Sequence, residues 1–327
     1  MELLLLSMNN NKKYIFGPVP SRRLGSSLGV DLVPFKTCSI DCVYCEAKAT
    51  TNLTLDRKEY VPVNEVISQL DDVLKDSPQL DYITFSGAGE PTLNSHIGDV
   101  VKFVVDNYPQ YKICLLTNGT LLGEHSVIDD LKLMRPTDVV IPSLDASNEE
   151  EFKKINRPHD DLKLIKLITD IINFRAKNKA QMWLELFIVP GVNDDIESQQ
   201  QFAKIISEID PDKVQLNNLD RPGCVEWIKP APEETIKSFI SVIEEVAAVE
   251  IIGRFSYRSE KLKFSGTNAE IKNAILEMTN RRPYTVADFL FAINISEDKL
   301  KKILKELISA NKLLTKEDER GTFYFPL

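Results

Sequence analysis

Histidine is scarce in this chain, with three in 327 residues, and cysteine numbers only five. Three of the five cysteines lie within eight residues, which is no disulfide framework. It is metal-binding usage in a reducing compartment, so a cytoplasmic location is expected. Cys114 and Cys224 are too few for an auxiliary four-cysteine cluster. Long hydrophobic runs are missing as well: no stretch reaches the length needed to span a bilayer. The opening ELLLLSM is apolar but short and lacks a basic leader, so no signal peptide is expected, and Met8 is an alternative start. Excess positive charge is also absent. With 40 Lys/Arg against 49 Asp/Glu the net charge is −9, which speaks against a broadly polyanion-binding surface but leaves room for a local basic patch. The apolar and charged fractions are those of an ordinary soluble protein, long enough for one large domain and a small one.

What is present centres on CSIDCVYC, Cys38 to Cys45, spaced C-x3-C-x2-C with Tyr44 before the last cysteine. Three soft, charged sulfurs on one short loop can converge on a single inorganic centre. Structural zinc wants four ligands, normally in two separated pairs; the nearest histidine is His96, and Cys114 and Cys224 are distant in sequence. An iron–sulfur cube held by three cysteines leaves one iron open to a ligand that is not protein.

The chain alternates strand and helix. Strand patterns cover Ser26–Phe35, Asp81–Gly87, Lys112–Gly119, Asp138–Ala146, Met182–Pro190 and Lys213–Leu219. Helical spacing covers Val63–Asp76, His96–Tyr108, Glu124–Met134, Leu162–Asn178, Asp195–Ile209 and Pro232–Val246. Near-continuous apolar strands between helices predict an α/β fold with a parallel sheet. Periodicity leaves two options, an open doubly wound sheet or a partial barrel. Either builds its site where strands end.

The cysteine spacing, the aromatic before the third cysteine and the run GPVPSRRLGSSLGVDLVPFKTCSIDCVYC (Gly17 to Cys45) resemble the radical S-adenosylmethionine (SAM) superfamily, in a branch near the wyosine-forming tRNA enzymes. The resemblance implies a curved, partial (β/α)6 barrel over residues 1–262. It implies a [4Fe-4S] cluster on Cys38, Cys42 and Cys45, with SAM chelating the fourth iron. An electron from an external flavodoxin- or ferredoxin-like donor would split the sulfonium, and the resulting radical would take hydrogen from a substrate. Tyr44 would pack beside the adenine, core packing being the alternative. SGAGEPTL (Ser86 to Leu93) matches the loop that binds the SAM amine, through Gly87, Gly89, Glu90 and Pro91, with Ala88 where a glycine is common; otherwise it is a turn before a helix.

TNG (Thr117, Asn118, Gly119) and SLD (Ser143 to Asp145) put short hydrogen-bonding side chains at strand ends, suited to ribose hydroxyls or a carboxylate. Alternatively Asn118–Gly119 is a turn, and Asp145 or Ser147 caps the next helix. Ile188 and Val189 are placed to wrap the adenine. Arg22 and Arg23 before the first strand, and Asn156, Arg157 and His159 after the fourth, are candidates for substrate recognition, because arginine forks bind carboxylate or phosphate. Solvated charged loops are the competing account.

After a strand-like segment, Glu250–Ser259, and a linker around Lys263–Thr267, the chain changes character. Asn268–Thr279, Val286–Ile293 and Ser296–Lys312 read as helices, and Leu313–Leu327 as two strands turning at Arg320–Gly321. Residues 263–327 thus predict a small winged-helix-like α+β domain. Lys299, Lys301, Lys302 and Lys305 make its third helix basic, as a recognition helix is, although helical salt bridges also account for such lysines. RNA or protein is the expected substrate partner, with a small molecule open. A non-enzymatic iron–sulfur redox sensor with a nucleic-acid-binding C-terminal domain is the rival. Neither substrate nor oligomeric state is legible.

Overall fold

A computed structural model describes residues 13–21, 23–87, 89–252, 265–318 and 320–327. Met8, Arg22, Ala88 and the expected domain boundary at 262/263 lie outside them. The strands are β1 (Ile15–Ser21), β2 (Gly25–Val30), β3 (Thr37–Cys38), β4 (Asn52–Leu53), β5 (Tyr82–Phe85), β6 (Lys112–Thr117), β7 (Val139–Pro142), β8 (Gln181–Ile188), β9 (Lys213–Asn218), β10 (Val249–Ile251), β11 (Tyr284–Thr285), β12 (Leu313–Asp318) and β13 (Gly321–Pro326). The α-helices are α1 (Val63–Leu74), α2 (Ile97–Asn107), α3 (His125–Leu131), α4 (Glu149–Ile155), α5 (Leu164–Lys177), α6 (Ile196–Ile209), α7 (Glu233–Ile243), α8 (Asn268–Arg281), α9 (Val286–Ala292) and α10 (Glu297–Ser309).

The main sheet runs β1-β2-β5-β6-β7-β8-β9-β10, with β1 antiparallel and every other pairing parallel. The six expected parallel strands are present, and β10 adds a seventh. β1 carries two prolines, which suits an edge strand with one hydrogen-bonded neighbour. The strand order never reverses. Right-handed crossovers therefore put every helix on one face, and successive helices from α1 to α3 and from α4 to α7 pack on each other. A doubly wound sheet needs a reversal, so the architecture is the partial barrel. No pairing joins β1 to β10 among the described residues, and the barrel stays open.

Strand alternation divides the interior in two. Met182, Leu184, Leu186 and Ile188 of β8 join the main core with the helices, as do Val214 and Leu216 of β9. The intervening Trp183, Glu185 and Phe187, with Gln215 and Asn217, face the helix-free side. Apolar packing there includes Leu24, Cys114, Val139 and Ile141. Caps fix the helix entries: Asn148 accepts from Glu150 N and Glu151 N at α4, and Asp195 from Ser198 N at α6. The cap expected at Asp145 or Ser147 is thus Asn148, and Asp145 is free for other work.

The C-terminal residues form three helices and a three-stranded antiparallel sheet, β11-β13-β12, around a separate apolar cluster that includes Ile275, Phe289, Leu300 and Leu304. Thr267 with Glu270 and Thr285 with Asp288 form capping boxes. Charged pairs dock this module on the barrel. Arg281 bonds Asp31 at 2.8 Å and lies 3.2 Å over the Phe16 ring. Asp288 lies 3.4 Å from Arg221 and 3.2 Å from Arg320. Burial alone would raise the Asp288 carboxyl, but the two guanidinium groups outweigh it and hold it at about 2. A carboxylate with a lower pKa folded than unfolded (about 3.9) stabilises fully above that unfolded value. The contribution, roughly 2 kcal/mol, drains away as pH falls toward 2. Asp288→Asn should flatten the acid limb of the melting temperature between about pH 4 and 2, which calorimetry would read.

Candidate active site

The cysteine loop lies across the carboxyl ends of the strands and is held by backbone bonds from three directions. Asp41 N donates to Asn156 O at 2.9 Å, Val43 N to Ile155 O at 2.9 Å, and His159 N to Ser39 O at 3.0 Å. Glu90 N donates to Thr37 O at 3.0 Å, and Cys224 N to Val43 O at 3.1 Å. All three loop cysteines are free thiols. Each sulfur meets a side-chain nitrogen donor: Asn118 Nδ2 lies 3.4 Å from Cys38 Sγ, Asn156 Nδ2 3.4 Å from Cys42 Sγ, and Lys36 Nζ 3.0 Å from Cys45 Sγ. Burial pushes Cys38 up to about 11 and Cys42 well above its ordinary value. Cys45 goes the other way and is lowered, because the neighbouring Cys224 thiol and the Lys36 ammonium favour its thiolate over the cost of burial. Among the described residues no three His, Cys, Asp or Glu side chains gather closely enough to hold a single metal ion. A cube with one sulfur on each of three irons is the larger body that such a loop suits.

The strand-end motifs close around this loop. At Gly89 an added Cβ would lie 1.8 Å from Thr37 O, so only glycine allows the two loops to touch. Gly87 has φ +106°, and Pro91 opens a short 3-10 turn, Pro91–Leu93. The Glu90 carboxylate, expected to meet a cationic amine, is turned into the protein. It accepts from Thr92 N at 3.0 Å, Thr92 Oγ1 at 2.7 Å, Thr117 Oγ1 at 2.7 Å and Asn118 N at 2.7 Å. Burial raises its pKa against those four donors. Glu90 and Thr117 thereby tie two strand ends together, and Asn118 reaches Ser39 Oγ at 2.8 Å to tie both to the cysteine loop.

On the other flank Asp145 is the hub. It accepts from Tyr44 Oη at 2.5 Å, Asn156 Nδ2 at 2.8 Å and Phe187 N at 3.0 Å. Burial lifts its carboxyl to about 6 even so. The Tyr44 ring stacks on Phe187 at 3.9 Å between centroids. Ser143 is half-buried and bridges to Glu185 through the backbone. Val189 packs in the apolar group around Tyr44 and Phe187. Ile188 does not join them, because alternation along β8 turns its side chain into the helix-covered core.

Four of the five positions expected to recognise substrate lie among the described residues. Arg22 is outside the described residues. Arg23 is inside the barrel, bonded to both oxygens of Glu185 at 2.6 and 2.9 Å, so its fork already holds a carboxylate. Asn156 is buried between Asp145 and Cys42. Arg157 is half-exposed, 3.6 Å from Asp41, and His159 lies 3.6 Å from Asp161. The segment 155–159 braces the cysteine loop rather than standing as an open charged loop. Sequence reasoning missed Lys36, Ser39, Phe187 and Cys224. Lys36 and Ser39 flank Cys38 and carry a local signal; Phe187 and Cys224 reach the site only by long-range packing. Cys224 Sγ donates to Cys45 O at 3.2 Å.

A cluster with SAM fits this donor set. Three thiols each have a polar neighbour, glycine clears one wall, and two buried acceptors, Asn156 Oδ1 at the end of α4 and Asn218 Oδ1 at the end of β9, have no hydrogen-bond partner among the described residues. Comparison with known proteins agrees. The family model described as the radical SAM superfamily matches residues 32–201. A UPF0026 protein of Methanocaldococcus jannaschii is 31% identical, covering 94% of each chain. A protein named GTPase Obg from Brachyspira hyodysenteriae is 34% identical over 95% of this chain, which spans only 46% of that protein. In fold, a radical SAM methyltransferase from Sphaerobacter thermophilus aligns with TM-score 0.53 at 16% identity, over 70% of this chain and 67% of that one. Cysteine spacing, singly wound barrel and family match converge, and the chain belongs to the radical SAM superfamily, alongside the UPF0026 proteins.

Proposed function

We propose that Cys38, Cys42 and Cys45 hold a [4Fe-4S] cluster and that this chain uses it to cleave SAM reductively and remove hydrogen from a substrate. The observation that carries the reading is the set of three thiols, each facing a side-chain nitrogen donor, near buried acceptors that have no partner among the described residues. The cofactors supply the radical chemistry; the protein binds, orients and excludes water. Lys36, Asn118 and Asn156 place positive or polar hydrogen next to the sulfurs and so favour the thiolate and the reduced state. Asn156 Oδ1 and Asn218 Oδ1 are the acceptors for ammonium or ribose hydroxyl groups. Glu90 and Asp145 are positioning residues, since their oxygens are taken by protein donors. Val189 and the Tyr44–Phe187 stack form the apolar wall for the adenine.

For the substrate we favour RNA. The C-terminal order of helix, strand, two helices and hairpin is that of a winged helix, and Lys299, Lys302 and Lys305 stand exposed on α10. Reconstituted under anoxia with dithionite and SAM, the protein is expected to yield 5′-deoxyadenosine and methionine in equal amounts. Retained iron with no nucleoside product would point to the sensor reading. RNA recovered with the intact chain after crosslinking in cells supports the substrate class; recovery of a protein or metabolite instead sinks it.

A further inference from the structure

A cavity of about 230 Å³ opens between the cysteine loop, the 222–224 turn and the C-terminal module. Cys45 and Cys224 lie in its wall, with Lys48, Arg281, Arg282 and Lys316. None of the side chains that surround the sulfurs from the barrel side (Glu90, Asn118, Asp145, Asn156) lines it. An occupant therefore meets the outer edge of the cysteine loop and not the strand-end mouth where SAM and the reacting substrate atom must sit. Two requirements separate here: chemistry needs the open iron, but an electron needs only close approach to a ligand sulfur.

The charge of the cleft says what approaches. Arg281 is engaged with Asp31, and Arg282 lies 3.5 Å from Glu46. Lys48 and Lys316 are exposed and pair with no carboxylate among the described residues. Among the described residues Glu46 is the one acidic residue in the lining. This is a positive recess on a chain of net charge −9, and it touches the residue expected to bind iron. An RNA phosphate would match the charge, but RNA held here would leave its bases outside the barrel mouth.

We infer that this cleft docks the electron donor, an acidic one-electron carrier of the flavodoxin or ferredoxin class, with its carboxylates on Lys48 and Lys316. The inference rests on the cluster reading above. In the step it would serve, one electron would pass from the reduced carrier to the oxidised cluster that Cys38, Cys42 and Cys45 would hold, with no bond made or broken and no proton moved. The module, by supplying Arg281, Arg282 and Lys316, completes a surface that the barrel alone lacks.

The test is Lys48→Glu with Lys316→Glu in the full chain, both side chains exposed and outside the cofactor site. Dithionite is small and needs no docking face, so 5′-deoxyadenosine formation with it should stay within about twofold of wild type. With a reduced acidic flavodoxin below saturation the rate should fall at least about tenfold, and the wild-type rate, but not the variant's, should drop with added salt. Equal flavodoxin-driven rates in variant and wild type overturn the proposal, as do equal losses with both reductants. So does loss of RNA capture with the flavodoxin-driven rate intact, which would make the cleft an RNA site. Wild-type protein that yields no nucleoside even with dithionite overturns the cluster reading and this inference with it; the dithionite arm tells the two failures apart.

Discussion

Cys42→Ser is expected to leave a folded protein that retains little iron and cleaves SAM at background. Cys42 is buried, and burial pushes its thiol well above the ordinary range. A thiolate is costly there unless a cation compensates it, so bound iron is what makes ionisation favourable. The Asn156 amide, 3.4 Å from the sulfur, orients it but carries no charge. Losing this ligand leaves the cube two cysteines, and an enzymatic acceleration of about 10⁶-fold or more disappears with it. Iron content, the cluster's visible absorption and nucleoside yield should fall together. Cys114→Ala is the control: Cys114 packs with Leu24, Val139 and Ile141, so its loss should reduce stability and spare iron. Equal iron in the Cys42 variant and wild type would contradict the assignment.

Gly89→Ala carries the second large effect, through sterics alone. The new methyl would lie 1.8 Å from Thr37 O and 2.7 Å from Thr37 C, both backbone atoms one residue from Cys38. Backbone cannot swing aside as a side-chain tip can. The bond from Glu90 N to Thr37 O must open, and Glu90, which links Thr92, Thr117 and Asn118, moves with it. A cost of about 3 kcal/mol is expected, a drop of roughly 6–12 °C in melting temperature. SAM affinity and cluster retention should weaken alongside. Gly191→Ala is the comparison, because Gly191 has φ +73° but nothing within 4 Å of its Cβ position. Only backbone strain of about 1–2 kcal/mol applies there, with no effect on iron. Similar losses in the two variants would show that contact with Thr37 is not what matters.

What could be read from residues alone follows the range of the forces involved. Each barrel strand is a run of apolar residues closed by a polar or glycine-rich turn, so the strands and the short motifs at their ends were visible together. The helix α4 was not, because EEEFKKI is too short and too charged to show a periodic apolar face. Its cap, Asn148, sits beside the two residues expected to do that job. The choice between open sheet and partial barrel came from strand order, which no local pattern encodes. The same limit applies to the site. Asn118 and Asp145 follow strands and announce themselves. Arg23 does not reveal that its partner is Glu185, 162 positions away. Nor does the Glu90 motif reveal that its carboxylate is already satisfied by three neighbours.

The alternation in β8 has an evolutionary reading. At 182, 184, 186 and 188 the chain builds scaffold; at 183, 185 and 187 it lines the chamber. Parity separates the two tasks, so residues facing the chamber can be exchanged to suit a new substrate while the outer layer keeps its fit. Substitution on that face leaves the fit of the outer layer intact, whereas deletion does not. Removing one residue would turn both sets over at once, sending Glu185 into the oil and Leu186 into the chamber.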